Sequence, residues 1–358
     1  MGINVISFFD GISAGQQALK SLGVEIDNYI AIEIDPIAKS VTRKNFPNTI
    51  FWGDITQLEE SQEFYESLPK IDLVFGGSPC QGLSRAGKRK GLRDIRSSLF
   101  NSFVFIFNQI KKNQKNPHLP FFFENVVMTG DMIGTANEFS IKLGVPYTEL
   151  DAIDFSPCKR NRFYWTNIGI PNFIINKFKG NKETYKDVMS KTIERKNILP
   201  ANMNTVTKKY MYEKSNLENK PYQINKDGFL YNTIVNGKPK VHQSRLVFRK
   251  NSKMPCFTAI SGGWGAQSSL YLRKSPKHLN LKPGWGIEDY SQSDRVFMPY
   301  KETVIVKPSV EACLKAMGFP ENYFDGVDIS ETQKRQAIGN SWSIHVVSLL
   351  LRSLLIKR

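Results

Sequence analysis

The stretch "NVISFFDGISAG", residues 4–15, decides how the rest of the chain reads. "NVISFF" is a short apolar run, Asp10-Gly11 supplies turn chemistry, and "QQALKSLG" follows with helical composition. Strand, glycine-bearing turn and helix in that order form the first step of an α/β sheet. The same alternation then recurs. "YIAIEID" predicts a second strand ending in acids, and "PIAKSVTRKNF" a helix with proline in its first turn. "IFWGDI" and "IDLVFGGSPC" predict the third and fourth strands, "SSLFNSFVFIFNQIKK" a helix, and "PFFFENV" the fifth strand. This pattern predicts a doubly wound, mostly parallel, Rossmann-like sheet running to about residue 170.

Beyond "FYWTNIGIPNF" the composition changes. Residues 172–300 are rich in Asn, Lys, Tyr and Gly, with short β-like pieces such as "FLYNTIVNGKPKV". The tail, "SIHVVSLLLRSLLI", is too apolar to stay solvated and should pack back on the first unit. Two units are therefore expected: 1–171 together with 331–358, and a smaller, irregular, β-containing unit over 172–330.

The 358 residues are 41% hydrophobic, enough for a substantial core. No apolar run reaches the roughly 18 residues a membrane span requires. The N-terminal "INVISFFDG" has no basic region or cleavage site, so a cytoplasmic protein is expected. Four cysteines (Cys80, Cys158, Cys256, Cys313) lie far apart, without a C-x-x-C and with only 4 histidines. Neither a disulfide framework nor a metal site is expected. The net charge is +16, and residues 172–254 hold 18 Lys/Arg against 6 Asp/Glu, a local balance of +12. Such a cluster is either a solvated basic face or a polyanion-binding surface, and the concentration favours the second.

Ligands of α/β sheets bind at the carboxyl ends of the strands. The Gly11 turn ends the first strand, Glu33 the second and Asp54 the third. Carboxylates there suit ribose hydroxyls and an adenine amino group, which points to an adenosine-containing cofactor. The G-x-G-x-x-G spacing of a dinucleotide site is missing. Cys80 ends the fourth strand after the stiff Pro79, followed by Lys88, Arg89, Lys90, Arg93 and Arg96, which would favour a thiolate. Read alone, a single cysteine is more often inert core; its place at a strand end favours a nucleophile. Glu124, after three phenylalanines, is either a strand-end cap or an acid able to hold and deliver a proton. Arg160 and Arg162 fall on alternate positions of an expected strand, both toward one face, to hold an oxygen-rich ligand or the carboxylate.

Taken together, "FFDGISAG", "GGSPCQGLS", "GKRKGLRDIRSSLF", "FENV", "KRNRFYW", "LKAMGFPENY" and "QAIGNSWSIHVV" resemble, in order and spacing, the motifs of the cytosine-C5 DNA methyltransferase family. Ser13-Ala14 stands where many members have Gly-Gly, and Cys158 where the family has Gln. "FDGI" and "SWS" also resemble the animal de novo branch, while the Pro-Cys-Gln loop looks bacterial or phage-like.

The resemblance implies that Cys80 attacks C6 of a flipped cytosine, with Glu124 at N3 and Arg160 and Arg162 holding the base and the carboxylate. It implies S-adenosylmethionine as methyl donor, held by Phe9, Gly11, Ile12, Glu33, Ile34, Asp54, Ile55, Leu99, Asn340 and Trp342. A mobile loop with Ser84, Arg85, Lys88, Arg89, Lys90, Arg93 and Arg96 would grip double-stranded DNA. The 172–330 unit would recognise the target. A monomer is expected, with a restriction enzyme as a functional rather than physical partner. An RNA cytosine-5 methyltransferase and a catalytically silent DNA-binding protein are the competing readings.

Overall fold

The computed structural model describes residues 2–79, 95–169, 172–197, 228–235, 238–248, 253–257, 270–274 and 303–356. Seven strands build the main sheet: β1 (Ile3–Phe8), β2 (Ile26–Ile32), β3 (Ile50–Trp52), β4 (Leu73–Gly76), β5 (Phe121–Val126), β6 (Tyr147–Asp151) and β7 (Asn161–Thr166). Their order is β3-β2-β1-β4-β5-β7-β6. The first five run parallel, while β7 is antiparallel to both β5 and β6. The expected doubly wound, mostly parallel sheet is present, with an antiparallel hairpin closing one edge.

Helices α1 (Ala14–Ser21), α2 (Pro36–Asn45), α3 (Gln62–Ser67), α4 (Ile95–Asn113) and α5 (Ile133–Leu143) cross between strands. Starts follow local chemistry. Asp35 caps α2 by accepting from the Ile37 N–H at 2.8 Å, and Pro36 occupies the first turn.

The strands are apolar on both faces because both faces are covered. In β5, Phe122 enters one core with Val5, Tyr29, Phe75, Tyr164, α1 and the helix Ile344–Ile356. Its neighbours Phe121 and Phe123 enter the other core, with α4 and α5. Each buried phenylalanine contributes about 1.5–3 kcal/mol, so the "FFF" triplet fastens the sheet to both layers. On α4, Phe100, Phe103, Phe107 and Ile110 form the covering stripe. Helix α1 lies so close to the sheet that a Cβ on Gly15 would sit 2.5 Å from the Phe75 ring.

A second, four-stranded sheet has the order β11-β10-β9-β8, from β8 (Gly228–Val235), β9 (Lys238–Phe248), β10 (Leu270–Lys274) and β11 (Thr303–Val306). β8 and β9 form an antiparallel hairpin over the stretch read as β-like in the sequence. After β11, the helix Val310–Met317, together with Phe319, Tyr323 and Phe324, joins the same core as α1. Arg335 is buried there, bonding Pro308 O at 2.6 Å and pairing with Glu331 at 2.8 Å. No described helix is long and apolar enough to cross a membrane.

Candidate active site

Glu124 lies on β5 directly opposite Tyr164 of β7, two ladder steps from the Val126–Arg162 pair. Alternation along the two strands puts Glu124, Tyr164 and Arg162 on one face. Arg162 Nε lies 2.9 Å from Glu124 Oε1, and both side chains are nearly buried. The carboxylate that the sequence set against bare apolar strand therefore has a guanidinium beside it. A paired charge can stay buried where an isolated one cannot. Tyr164 is Glu124's partner across the ladder; burial first, and then the nearby Glu124, hold its hydroxyl well above the usual phenol range.

The next residue, Asn125, reaches the other way. Its amide nitrogen donates to Ser78 O at 3.3 Å and Ser78 Oγ at 3.2 Å, in a buried setting. That ties β5 to the segment leaving β4, two positions before Cys80. Trp342 presses on the same segment. A Cβ on Gly77 would sit 2.9 Å from its indole Nε1, so glycine is needed there for the close approach. The indole also meets Phe122 edge-on, with ring centroids 5.1 Å apart. Cys80, Ser84, Arg85, Lys88, Arg89, Lys90 and Arg93 fall outside the described residues; Arg96 belongs to the first turn of α4, and only its backbone is described.

The two arginines were expected on one strand face, but β7 begins at Asn161 and Arg160 precedes it. Arg160 is buried; its Nη1 donates to Phe257 O at 3.4 Å and Gly339 O at 3.2 Å. It therefore ties the sheet to two distant segments, while Arg162 holds the carboxylate. Both guanidiniums approach Cys256 Sγ at 4.0 Å. Cys158 is fully buried, and its thiol contacts Lys159 O and Pro255 O at 3.4 Å each. Burial pushes that thiol well above its ordinary range, which makes it a weak donor rather than a nucleophile. A bridge between Cys158 and Met254 lays the 253–257 segment beside it. Cys256, Asn125 and Tyr164 were missed in the sequence, because what defines each is a partner far along the chain.

At the other end of the sheet, the turn after β1 meets the ends of β2 and β3. Glu33 Oε2 accepts from Gly11 N–H at 2.7 Å, and its Oε1 accepts from the N–H groups of Ile34 and Asp35 at 2.8 Å each. Asp54 accepts from Thr56 N and Oγ1 at 2.9 Å each, capping a short turn whose Ile55 is buried. Ile34 is 66% exposed beside these two carboxylates. An apolar platform flanked by carboxylates is a donor set that fits an adenosine: a face for the base and acceptors for hydroxyl and amino groups. Of the other residues expected at the donor site, Ile12 and Trp342 are buried in the core that covers one face of the sheet, Phe9 and Leu99 pack against the core on the other, and Asn340 is exposed. No group of three or more metal-ligating side chains occurs among the described residues.

The chain is similar to known methyltransferases. An orphan methyltransferase of Bacillus phage rho11s, M.Rho11sI, is 37% identical over 126 residues, covering 35% of this chain and 23% of the relative. The type II methyltransferase M.NgoBV of Neisseria gonorrhoeae is 32% identical over 156 residues, covering 43% of this chain and 34% of the relative. The chain thus aligns with well under two thirds of these relatives' length. Among solved structures, Entamoeba histolytica methyltransferase EhMeth matches with a TM-score of 0.66 and 18% identity, covering 100% of this chain and 99% of that one. The S. pombe Dnmt2 methyltransferase matches at 0.63 and 16%, over 100% and 99% of the two chains. At such identities the likeness is one of fold, the Rossmann-like methyltransferase fold. The family model described as C-5 cytosine-specific DNA methylase matches residues 3–355, and the chain belongs to that family.

Proposed function

We propose that this chain is a DNA (cytosine-5)-methyltransferase that flips a cytosine out of duplex DNA and methylates it at C5. The observation that carries the reading is the buried Glu124–Arg162 pair, 2.9 Å apart, beside the segment that Asn125 holds just before Cys80. Cytosine C5 is a poor nucleophile until C6 is attacked. Cys80, as thiolate, forms the S–C6 bond, and the displaced electron pair moves through the ring toward N3 and C5. Glu124 holds a proton at N3, taking up that charge. Arg162 keeps the carboxyl in place and directs its guanidinium toward the base O2. Cys80 departs once C5 loses its proton, as the returning electron pair re-forms the C5=C6 double bond and breaks the S–C6 bond. A base stacked in a duplex is out of reach of these groups, so the base must leave the helix.

S-adenosylmethionine, when bound, supplies an electrophilic methyl group. Glu33 and Asp54 would hold its ribose and adenine, Ile34 and Ile55 the base faces, and Phe9, Gly11, Ile12, Leu99, Asn340 and Trp342 the remainder. Arg160 serves as a positioning residue. The loop with Ser84, Arg85, Lys88, Arg89, Lys90, Arg93 and Arg96 is assigned to DNA phosphates. The catalytic and cofactor-binding part comprises 1–171 with 331–358, and target recognition is assigned within 172–330, where the basic surplus and β8–β11 lie. Ile174, Tyr185, Val188, Ile193, Met254 and Phe257 of that stretch, and its part from Val306 onward, pack in the same core as α1.

A duplex carrying 5-fluorocytosine at the target position tests the proposal, because fluorine cannot leave as a proton does. The wild-type protein with S-adenosylmethionine should form an adduct that survives denaturation, and Cys80→Ala should form none. An adduct with tRNA but not with duplex DNA would transfer the reading to RNA. No adduct with either, alongside tight duplex binding, would leave a silent DNA-binding protein.

A further inference from the structure

The turn from Phe9 to Ser13 holds three residues in the left-handed region: Phe9 at φ 58°, Gly11 at 57° and Ser13 at 55°. Gly11 adopts this freely, whereas a side chain at position 13 strains the backbone. Ser13 is fully buried, and its hydroxyl donates to Asp10 Oδ2. Asp10 is itself buried, and its Oδ1 accepts from the Tyr29 hydroxyl at 2.8 Å. The Ser13 N–H closes the turn on Asp10 O at 3.1 Å. The peptides between them face outward to partners, Gly11 N–H to Glu33 and Ile12 O to the Tyr323 hydroxyl at 2.7 Å. A buried carboxylate in this place is costly, and the methyl-transfer chemistry proposed above makes no use of it.

We propose that Asp10 is a positioning residue for the methyl-donor pocket, holding Ser13 in the left-handed turn that a glycine would adopt unaided. The proposal rests on the reading of this edge as the S-adenosylmethionine site. Through Ser13, Asp10 fixes the peptide of Gly11 against Glu33, so the carboxylate assigned to the ribose is aimed by a residue that never touches the donor. Burial raises the Asp10 carboxyl to about 6, which is the mark of a group kept at a cost. Ser13 at a position where many family members have glycine thus brings its own compensation.

The test is the affinity for S-adenosylhomocysteine, measured by calorimetry on the full chain, with unliganded thermal melting in parallel. Ser13→Ala keeps the strain and removes the hydrogen bond; it should weaken binding about tenfold, whereas Ser13→Gly should bind like wild type. Asp10→Ala should also weaken binding about tenfold, and the loss should largely disappear in the Asp10→Ala/Ser13→Gly double variant. Equal losses from Asp10→Ala in both backgrounds would overturn the proposal, as would Ser13→Ala binding like wild type. Should Asp10→Ala fail to fold, the Ser13→Ala and Ser13→Gly pair still decides, since Asp10 is intact in both. Absence of wild-type binding would overturn the donor-site reading and this inference with it; the variant patterns overturn the inference alone.

Discussion

The two ends of the main sheet are built on different principles. At the parallel end, β2 and β3 lead into carboxylates held by backbone N–H groups of adjacent turns: Glu33 accepts from Gly11, Ile34 and Asp35, and Asp54 caps its own turn. At the antiparallel end, β5 and β7 present side chains that hold one another, Glu124 to Arg162. Backbone-held groups survive the loss of one neighbour, because peptide donors cannot be mutated away. A side-chain pair fails when either member goes, because the survivor is left as a buried charge.

The largest effect should therefore come from the antiparallel end. Arg162→Ala strands Glu124 and is expected to cost about 3–5 kcal/mol in urea unfolding, with methylation reduced below detection. Arg162→Lys should recover stability better than turnover, since an ammonium replaces the charge but not the guanidinium fork.

Next comes the parallel end, through Asp10. Its carboxyl titrates at about 6 in the folded chain against 3.8 unfolded, chiefly because of burial, with Glu33 adding to the rise. The folded state thus binds the proton more tightly, and this group's contribution to stability is greatest below the lower value. It should fall by about 3 kcal/mol as pH rises between the two, at about 1.4 kcal/mol per unit. Urea midpoints from pH 4 upward would show the decline, and Asp10→Asn should flatten it.

Gly77→Ala sits between the two ends. Its Cβ would meet Trp342 at 2.9 Å, so about 1–3 kcal/mol should be lost and 5-fluorocytosine trapping slowed as the Cys80 segment shifts. The smallest stability change is expected for Asn125→Ala, about 1 kcal/mol for its hydrogen bonds to Ser78. Its effect on trapping should exceed its effect on stability. If instead all these variants lose activity only in proportion to lost stability, the contrast between the two ends has no catalytic meaning.

The parallel half was legible because its signals are local. Strands of three to seven residues lead into Gly11, Glu33 or Asp54, and each lies within one supersecondary unit. The β5–β7–β6 edge was less so, since nothing in "PYTELD" or "NRFYWT" states that β7 inserts between β5 and β6. Arg160 shows the same limit. Its spacing from Arg162 suggested a shared strand face, yet its carbonyl partners Phe257 and Gly339 lie 97 and 179 positions away. Cys256 carried no local cue at all. Asp10 did carry one, an acid between an apolar strand and a buried helix start, but only Tyr29 and Ser13 in place show its use.

The hold of Arg160 on Gly339 and of Gly77 on Trp342 has a consequence for synthesis. A ribosome that has finished Cys80, Glu124 and Arg162 has made every group assigned to bond formation, but not the parts that wedge them in position. The wedge arrives only with residues 339–342, and contacts of such sequence separation form late. Until residues 339–342 have been translated, a growing chain lacks the contacts that hold Arg160 and the segment before Cys80 in place.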